Sequence, residues 1–294
     1  RILPKMIKHI TAKTFISTVN GKDEWFGLRY NFNIYRGCIH QCIYCDSRSE
    51  CYQIENFEDL LVKTNAPDLA RKELSHKRVK GLIGTGSMSD PYNPAEKEFL
   101  IMREVLKVIQ AFRFPIHILT KSDLVLRDQD IIKEISRVKA YVSFTVTAYD
   151  DELSKKIEPF APVSSRRIAA MKQLAENGIN TGILLMPTLP YITDSEDNIK
   201  NIMQLAVDNG ASYVIASFGV TMRDRQREYY YKKLEKTFPG LKEKYVNKYG
   251  NKYSCRSENY TRLNQIYNEY SLRYNLKKRV ESYNEVVENL RLFS

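Results

Sequence analysis

"NIYRGCIHQCIYCDSR", residues 33–48, sets Cys38, Cys42 and Cys45 in a C-x3-C-x2-C spacing. A structural zinc site takes four protein ligands, and an ordinary iron–sulfur cluster takes four thiolates. Three thiolates at this spacing wrap one side of a cubane cluster and leave one iron open. An open iron accepts a small molecule that chelates through an amine and a carboxylate. The zinc reading needs a fourth ligand, for which His40, Cys51 and Cys255 are the candidates. His40 lies two residues from Cys38 and two from Cys42, closer than usual zinc-ligand spacings, so the open-iron reading is preferred.

Outward from the loop, short apolar runs alternate with amphipathic helices. Strands are expected at 31–35, 80–86, 116–120, 141–147, 181–187 and 212–218. Helix ends are marked by Asn93-Pro94-Ala95-Glu96, by Asp128 before "QDIIKEISR", and by Ser164 or Ser165 before "RRIAAMKQLAENG". Asn177-Gly178 and Gly210 read as helix stops, and Thr193 with Glu196 as a capping box. This alternation predicts a parallel sheet with right-handed crossovers, an α/β fold. Its expected form is a six-stranded (β/α)6 partial TIM barrel, with a doubly wound open sheet as the competing architecture. In both, chemistry sits beyond the C-terminal ends of the strands, where the cysteine loop falls. After about residue 222 no further strand is evident, and eleven of the twenty tyrosines lie between Tyr229 and Tyr283. The expected units are a lead-in at 1–30, the partial barrel at 31–222 and a C-terminal helical extension at 223–294. Tyr267, Tyr270 and Tyr274 share one helical face, read as packing on the barrel rather than stacking on nucleic acid.

Composition bounds the function. The chain has 294 residues, 43% hydrophobic and 28% charged, enough for a sizeable core. No apolar run is long enough to span a membrane, and no signal-peptide pattern stands at the start. The chain opens on Arg1 rather than Met, so a few preceding residues are expected to be missing. Five cysteines, three of them clustered, read as metal ligation in a reducing cytoplasm rather than a disulfide framework. The balance of 46 basic and 35 acidic residues, net +11, favours an anionic partner such as nucleic acid. Gly84-x-Gly86 is followed by Ser89 where a dinucleotide fingerprint would carry a third glycine, so a Rossmann phosphate loop is not indicated. Arg166 and Arg167 at a helix start suggest an anionic partner, or else surface arginines.

The loop resembles that of the radical S-adenosylmethionine (SAM) enzymes, in particular the branch of spore photoproduct lyase and its photolyase-like relatives. Further matching stretches are "GSMSDPYNPAEKE", "ILTKSDLVLRD", "EPFAPVSSRRIAAMKQLAENGI" and "LLMPTLPYITD", which fall in order between about residues 30 and 220. The resemblance implies a [4Fe–4S] cluster on Cys38, Cys42 and Cys45, with SAM on the fourth iron. It implies that Tyr44 offers its backbone to the adenine, and that Ser89 and Asp90 lie near the methionine amine and ribose. It places Lys121 at the SAM carboxylate and Ser143 near the ribose or carboxylate. A reduced cluster would then cleave SAM to a 5′-deoxyadenosyl radical that takes a substrate hydrogen. An external one-electron donor of flavodoxin or ferredoxin type would supply the electron. The resemblance breaks at Met88, where the spore lyase has a hydrogen-donating cysteine, and at Asp46, where it has a tyrosine. The expected protein is therefore a radical SAM enzyme other than a true spore photoproduct lyase. Its substrate is unspecified, with a nucleic acid base favoured by the charge. The alternative is a non-catalytic, zinc-stabilised nucleic-acid-binding protein.

Overall fold

The computed structural model describes residues 6–21 and 23–283. Along the chain come β1 (Ile7–Ile10), β2 (Ser17–Thr18), β3 (Tyr30–Phe32), β4 (Tyr35–Arg36), β5 (Leu60–Lys63), α1 (Ala66–Ser75) and β6 (Ile83–Thr85). Next are α2 (Glu96–Phe99), α3 (Ile101–Ala111), β7 (Ile116–Thr120), α4 (Gln129–Ser136), β8 (Ala140–Thr145), α5 (Asp151–Ile157) and α6 (Ser164–Glu176). Then follow β9 (Asn180–Leu185), α7 (Glu196–Asp208), β10 (Tyr213–Ala216), β11 (Gly219–Thr221), α8 (Asp224–Thr237), α9 (Leu241–Tyr249), β12 (Ser254–Arg256) and α10 (Tyr260–Arg273). The main sheet has the order β10-β9-β8-β7-β6-β3-β2. The neighbours from β3 to β10 pair in parallel, and β2 closes one edge antiparallel to β3. The protein is thus an α/β fold on a parallel-rich sheet.

Period-two alternation divides the strands between two environments. Ile116 and Ile118, Val142 and Phe144, Ile183 and Leu185, and Val214 enter the large core beneath the helices. The opposite faces carry Tyr141, Leu184, Tyr213 and Ile215, packed with Leu82 and Val280, against which Phe26, Leu28, Leu119 and Met186 also pack. Gly84 belongs to this second face, and a Cβ there would lie 2.4 Å from the Leu28 side chain. The N-terminal stretch can fill that face because the glycine leaves the space.

Several expectations are corrected. The strand expected at 31–35 is divided: β3 joins the main sheet, whereas β4 pairs antiparallel with β5, which in turn pairs parallel with β1. A strand does occur beyond residue 222: β12 pairs antiparallel with β11. In β12 only Cys255 is buried, so it carries no apolar alternation to read. Ser195, not Thr193, caps α7 by accepting from the Asn198 N–H, while the Thr193 hydroxyl accepts from the Leu189 N–H. Asp128 makes no cap bond; it is fully buried and ion-paired to Arg103 and Arg127. Tyr267 packs as expected and donates its hydroxyl to the Val214 carbonyl at 2.7 Å, while Tyr274 at the end of that face is exposed. The portions of the lead-in and extension at 1–5, 22 and 284–294 lie outside the described residues. No helix among the described residues is long and apolar enough to cross a membrane.

Candidate active site

The cysteine loop is fastened from several directions. Gly37 has φ +80°, and a Cβ there would lie 2.2 Å from the Asp59 carbonyl oxygen, so the turn into Cys38 requires glycine. The Ser89 hydroxyl donates to the Gly37 carbonyl at 2.6 Å, and the Gln41 amide to the Cys38 carbonyl at 3.0 Å. The Ile43 N–H donates to the Ile157 carbonyl, and the Phe160 N–H to the His40 carbonyl, tying the loop to the end of α5. Inside, the Tyr44 hydroxyl donates to Glu158. Glu158 pairs with Arg167 at 2.5 Å, and both side chains are buried. Arg167 also donates to the carbonyls of Pro162 and Thr145 at 2.7 and 2.9 Å. Neither Arg166 nor Arg167 awaits an anionic partner, since Arg166 is paired with Asp123.

The three thiols line one cavity of about 520 Å³, within the usual range for small-molecule sites. Ser89, Asp90, Lys121 and Tyr44 line it too. Burial pushes each thiol up: Cys38 to about 12, with Asp90 adding to the rise, and Cys42 well above its ordinary range. Cys45 is raised by burial against the opposing Ser47 backbone and the Lys121 cation. Thiolates here therefore need positive charge, which Lys121 supplies in part and bound iron would complete. The donor set fits an iron–sulfur cluster: three soft thiols on one cavity, Cys42 buried and Cys38 and Cys45 half-buried, close enough to feel one another's charge. Among the described residues no three His, Cys, Asp or Glu side chains gather as around a single ion. His40 has its ring nitrogens 3.3 Å from the Phe160 carbonyl and 3.3 Å from Asp90.

Asp90 is nearly saturated. It accepts from the Tyr92 N–H at 2.9 Å, the Thr120 hydroxyl at 2.7 Å and the Lys121 N–H at 2.6 Å. Burial would raise its pKa, but His40 and these bonds outweigh burial and hold it down to about 2. Lys121 follows β7, and its ammonium lies 5.8 Å from the centre of the Tyr44 ring. Burial disfavours its charge, but Cys42, Glu158 and Asp90 more than offset this and raise its pKa. The Tyr44 carbonyl already accepts from the Gln226 amide at 3.0 Å.

Ser143 is brought to a different place. Its hydroxyl lies 2.7 Å from His117 Nε2 and 2.7 Å from the Tyr213 hydroxyl, and it does not line the cavity. The reason is register: two residues further along β8, Thr145 reaches the cavity, and Ser143 lies one layer below. Trp25, Phe26 and Met186 line the cavity and were not expected to. They come from segments distant in sequence, which no local spacing brings together. Cys51 and Cys255 stay apart from it: Cys51 is exposed and takes an Arg223 N–H at 2.8 Å, and Cys255 is buried in β12.

A family model of the radical SAM superfamily matches residues 32–206. An uncharacterised protein of Methanocaldococcus jannaschii is 41% identical over 173 residues, covering 58% of this chain but only 64% of its own length. An uncharacterised Mycobacterium tuberculosis protein is 30% identical over 231 residues, covering 75% of this chain and 67% of the relative. Among solved structures, a spore photoproduct lyase with bound SAM and dinucleoside spore photoproduct has TM-score 0.67 at 14% identity, covering 92% of this chain and 79% of that one. A radical SAM methyltransferase of Kitasatospora setae has TM-score 0.51 at 12% identity, covering 69% and 38%. At these identities the structural likeness speaks for the fold. The family match covers more than half of the chain, which belongs to the radical SAM superfamily, enzymes whose cofactors are a [4Fe–4S] cluster and S-adenosylmethionine.

Proposed function

We propose that this chain holds the cluster on Cys38, Cys42 and Cys45, cleaves SAM reductively, and takes hydrogen from a substrate for which the net charge of +11 favours a nucleic acid base. The carrying observation is that the three thiols, the Ser89-Asp90 pair and Lys121 all line one cavity. Held on these three thiolates, a cluster with SAM would supply one-electron reductive cleavage and a 5′-deoxyadenosyl radical, the electron coming from an external donor.

The protein's own groups bind and orient. No described carboxylate pairs with the Lys121 ammonium, which suits the SAM carboxylate. Asp90, ionised but nearly saturated, supplies negative potential for the amine more than a free hydrogen-bond acceptor. Ser89 holds the turn before Cys38. Tyr44 presents backbone to the adenine, with its ring set by Glu158. Thr145 offers the β8 contact, while the Ser143 hydroxyl is taken up with His117 and Tyr213. Leu119, Leu184, Met186 and Val220 keep water from the reacting atoms.

In this reading the parallel strands curve as a six-stranded (β/α)6 partial barrel. Residues 31–222 form the catalytic unit, 1–30 its lead-in and 223–294 its extension. A flavodoxin- or ferredoxin-type donor supplies electrons in a reducing cytoplasm. Calorimetric titration with SAM of reconstituted, anaerobic Lys121→Met tests the assignment. Loss of a charge-assisted contact is expected to weaken binding by roughly 10- to 150-fold at unchanged iron content. Equal affinity would contradict it.

A further inference from the structure

We propose that Trp25, carried on a fixed N-terminal lip, forms the substrate-facing wall of the cavity and stacks on the flat, neutral ring of a nucleobase. This assignment rests on the function proposed above and names the subsite that would take its substrate.

The lip is held rigidly. The Asp23 carboxylate accepts from the N–H groups of Trp25, Phe26 and Leu28 at 3.0, 3.1 and 3.3 Å. The Val280 N–H donates to the Trp25 carbonyl at 2.9 Å, and His117 Nδ1 lies 3.3 Å from the Phe26 carbonyl. Gly27 has φ +66°, and a Cβ there would lie 2.8 Å from the backbone of Glu281, so the lip fits closely against the C-terminal stretch. Yet the indole at the centre of these bonds is 44% exposed and lines the cavity. A backbone fixed this firmly around a large aromatic that forgoes burial is a prepared contact surface.

Charge narrows what can lie on it. Among the described lining residues, Asp46 is engaged by Tyr52 and Arg223, and Asp90 by its backbone and hydroxyl donors. Lys121 is committed to the SAM carboxylate in the function proposed. Beyond these, the lining combines apolar Phe26, Met88, Leu184 and Met186 with the neutral hydroxyls of Ser87 and Ser217, which suits an uncharged ring with polar edges. Outside, the exposed triplet Lys277-Lys278-Arg279 runs directly into Val280, the lip's partner. Lys277 pairs with Glu281 and Lys278 bonds Asn268, which leaves Arg279 with no hydrogen bond or ion pair among the described residues. An aromatic wall flanked by cations on a chain of net charge +11 is the arrangement that stacks a base and tracks its backbone phosphates. A peptide's aromatic side chain would use the wall but not the charge.

The test uses reconstituted, SAM-loaded protein under anaerobic conditions. The probes are fluorescein-labelled single-stranded DNA and RNA 12-mers of mixed sequence, followed by anisotropy. Trp25→Ala is expected to weaken binding by roughly 5- to 150-fold, the loss of one base–aromatic stack. Trp25→Phe should stay within a few-fold of wild type, which separates a lost stack from a lost fold. Tyr274→Ala, at an exposed tyrosine that does not line the cavity, should bind as wild type. Trp25 is the chain's sole tryptophan, so its emission should change when unlabelled 12-mer binds. Wild-type affinity in Trp25→Ala, or unchanged emission at saturation, would overturn the proposal. So would quenching by the peptide Gly-Tyr-Gly with none by either 12-mer. Parallel measurement of 5′-deoxyadenosine keeps the two ideas separate: its absence would refute the enzyme reading, while the Trp25 result stands on binding alone.

Discussion

Replacing Arg167 by Met removes one half of a fully buried ion pair next to the cysteine loop. Arg167 and Glu158 have side chains 0% and 1% exposed, 2.5 Å apart. The change also removes the bonds to the Pro162 and Thr145 carbonyls at 2.7 and 2.9 Å. Breaking a buried pair from one side typically costs about 3–5 kcal/mol, because the remaining charge has no partner. The two carbonyl bonds, each worth on the order of 1 kcal/mol net or somewhat more from a charged donor, place Arg167→Met toward the upper end of that range. That is a large fraction of a typical total of about 5–15 kcal/mol. Glu158→Gln keeps an acceptor for the Tyr44 hydroxyl but removes the charge. The double variant Arg167→Met/Glu158→Gln should therefore cost less than the sum of the singles, by about 1 kcal/mol or more. Urea unfolding of the cluster-free protein, followed by circular dichroism, measures each step. A loss below about 1 kcal/mol for Arg167→Met, or strict additivity, would refute the reasoning. Because Glu158 sets the Tyr44 ring and Arg167 holds Thr145, the single variant should also reconstitute with less iron.

Other expectations follow from the same contacts. His117 is buried, which pushes its pKa down to about 4 against the opposing effect of the Phe26 carbonyl. Between an ordinary value near 6.5 and this one the unfolded chain binds the extra proton. Stability should thus fall by about 3 kcal/mol as pH drops from about 6.5 to 4, and His117→Asn should flatten that slope in urea titrations. Gly37→Ala forces a side chain into the left-handed region and against the Asp59 carbonyl. It should cost more than about 1 kcal/mol in the same unfolding assay and lower iron per chain after reconstitution. Cys51→Ser and Cys255→Ser, outside the cavity, should keep wild-type iron content by colorimetric assay, whereas Ala at Cys38, Cys42 or Cys45 should lose it.

Much of the site was legible where chemistry depends on local spacing. The cysteine loop, the Ser89-Asp90 pair and Lys121 each stand in short stretches at strand ends, and they meet at one cavity. The strand at 116–120 was legible in full: its bounds are those of β7, with Ile116 and Ile118 alternating into the main core. Ser143 shows where local reading stops. Residues 143 and 145 share one strand face, and only their depth along the sheet decides which reaches the cavity. Arg167 was read as a helix-start charge with either an anionic partner or a place on the surface; it is buried against Glu158, nine residues earlier, and the pairing depends on α5 and α6 folding back on each other. Trp25 was invisible as a cavity residue because its place depends on Val280, some 250 residues away, a contact no sequence periodicity encodes.

The central claim is that the iron left open by Cys38, Cys42 and Cys45 serves SAM. It is tested most directly by incubating anaerobically reconstituted protein with dithionite and SAM and assaying 5′-deoxyadenosine, with Cys42→Ala as control. Formation by the wild type alone is the expected result. A colourless protein carrying one four-coordinate zinc and forming no 5′-deoxyadenosine would contradict the account.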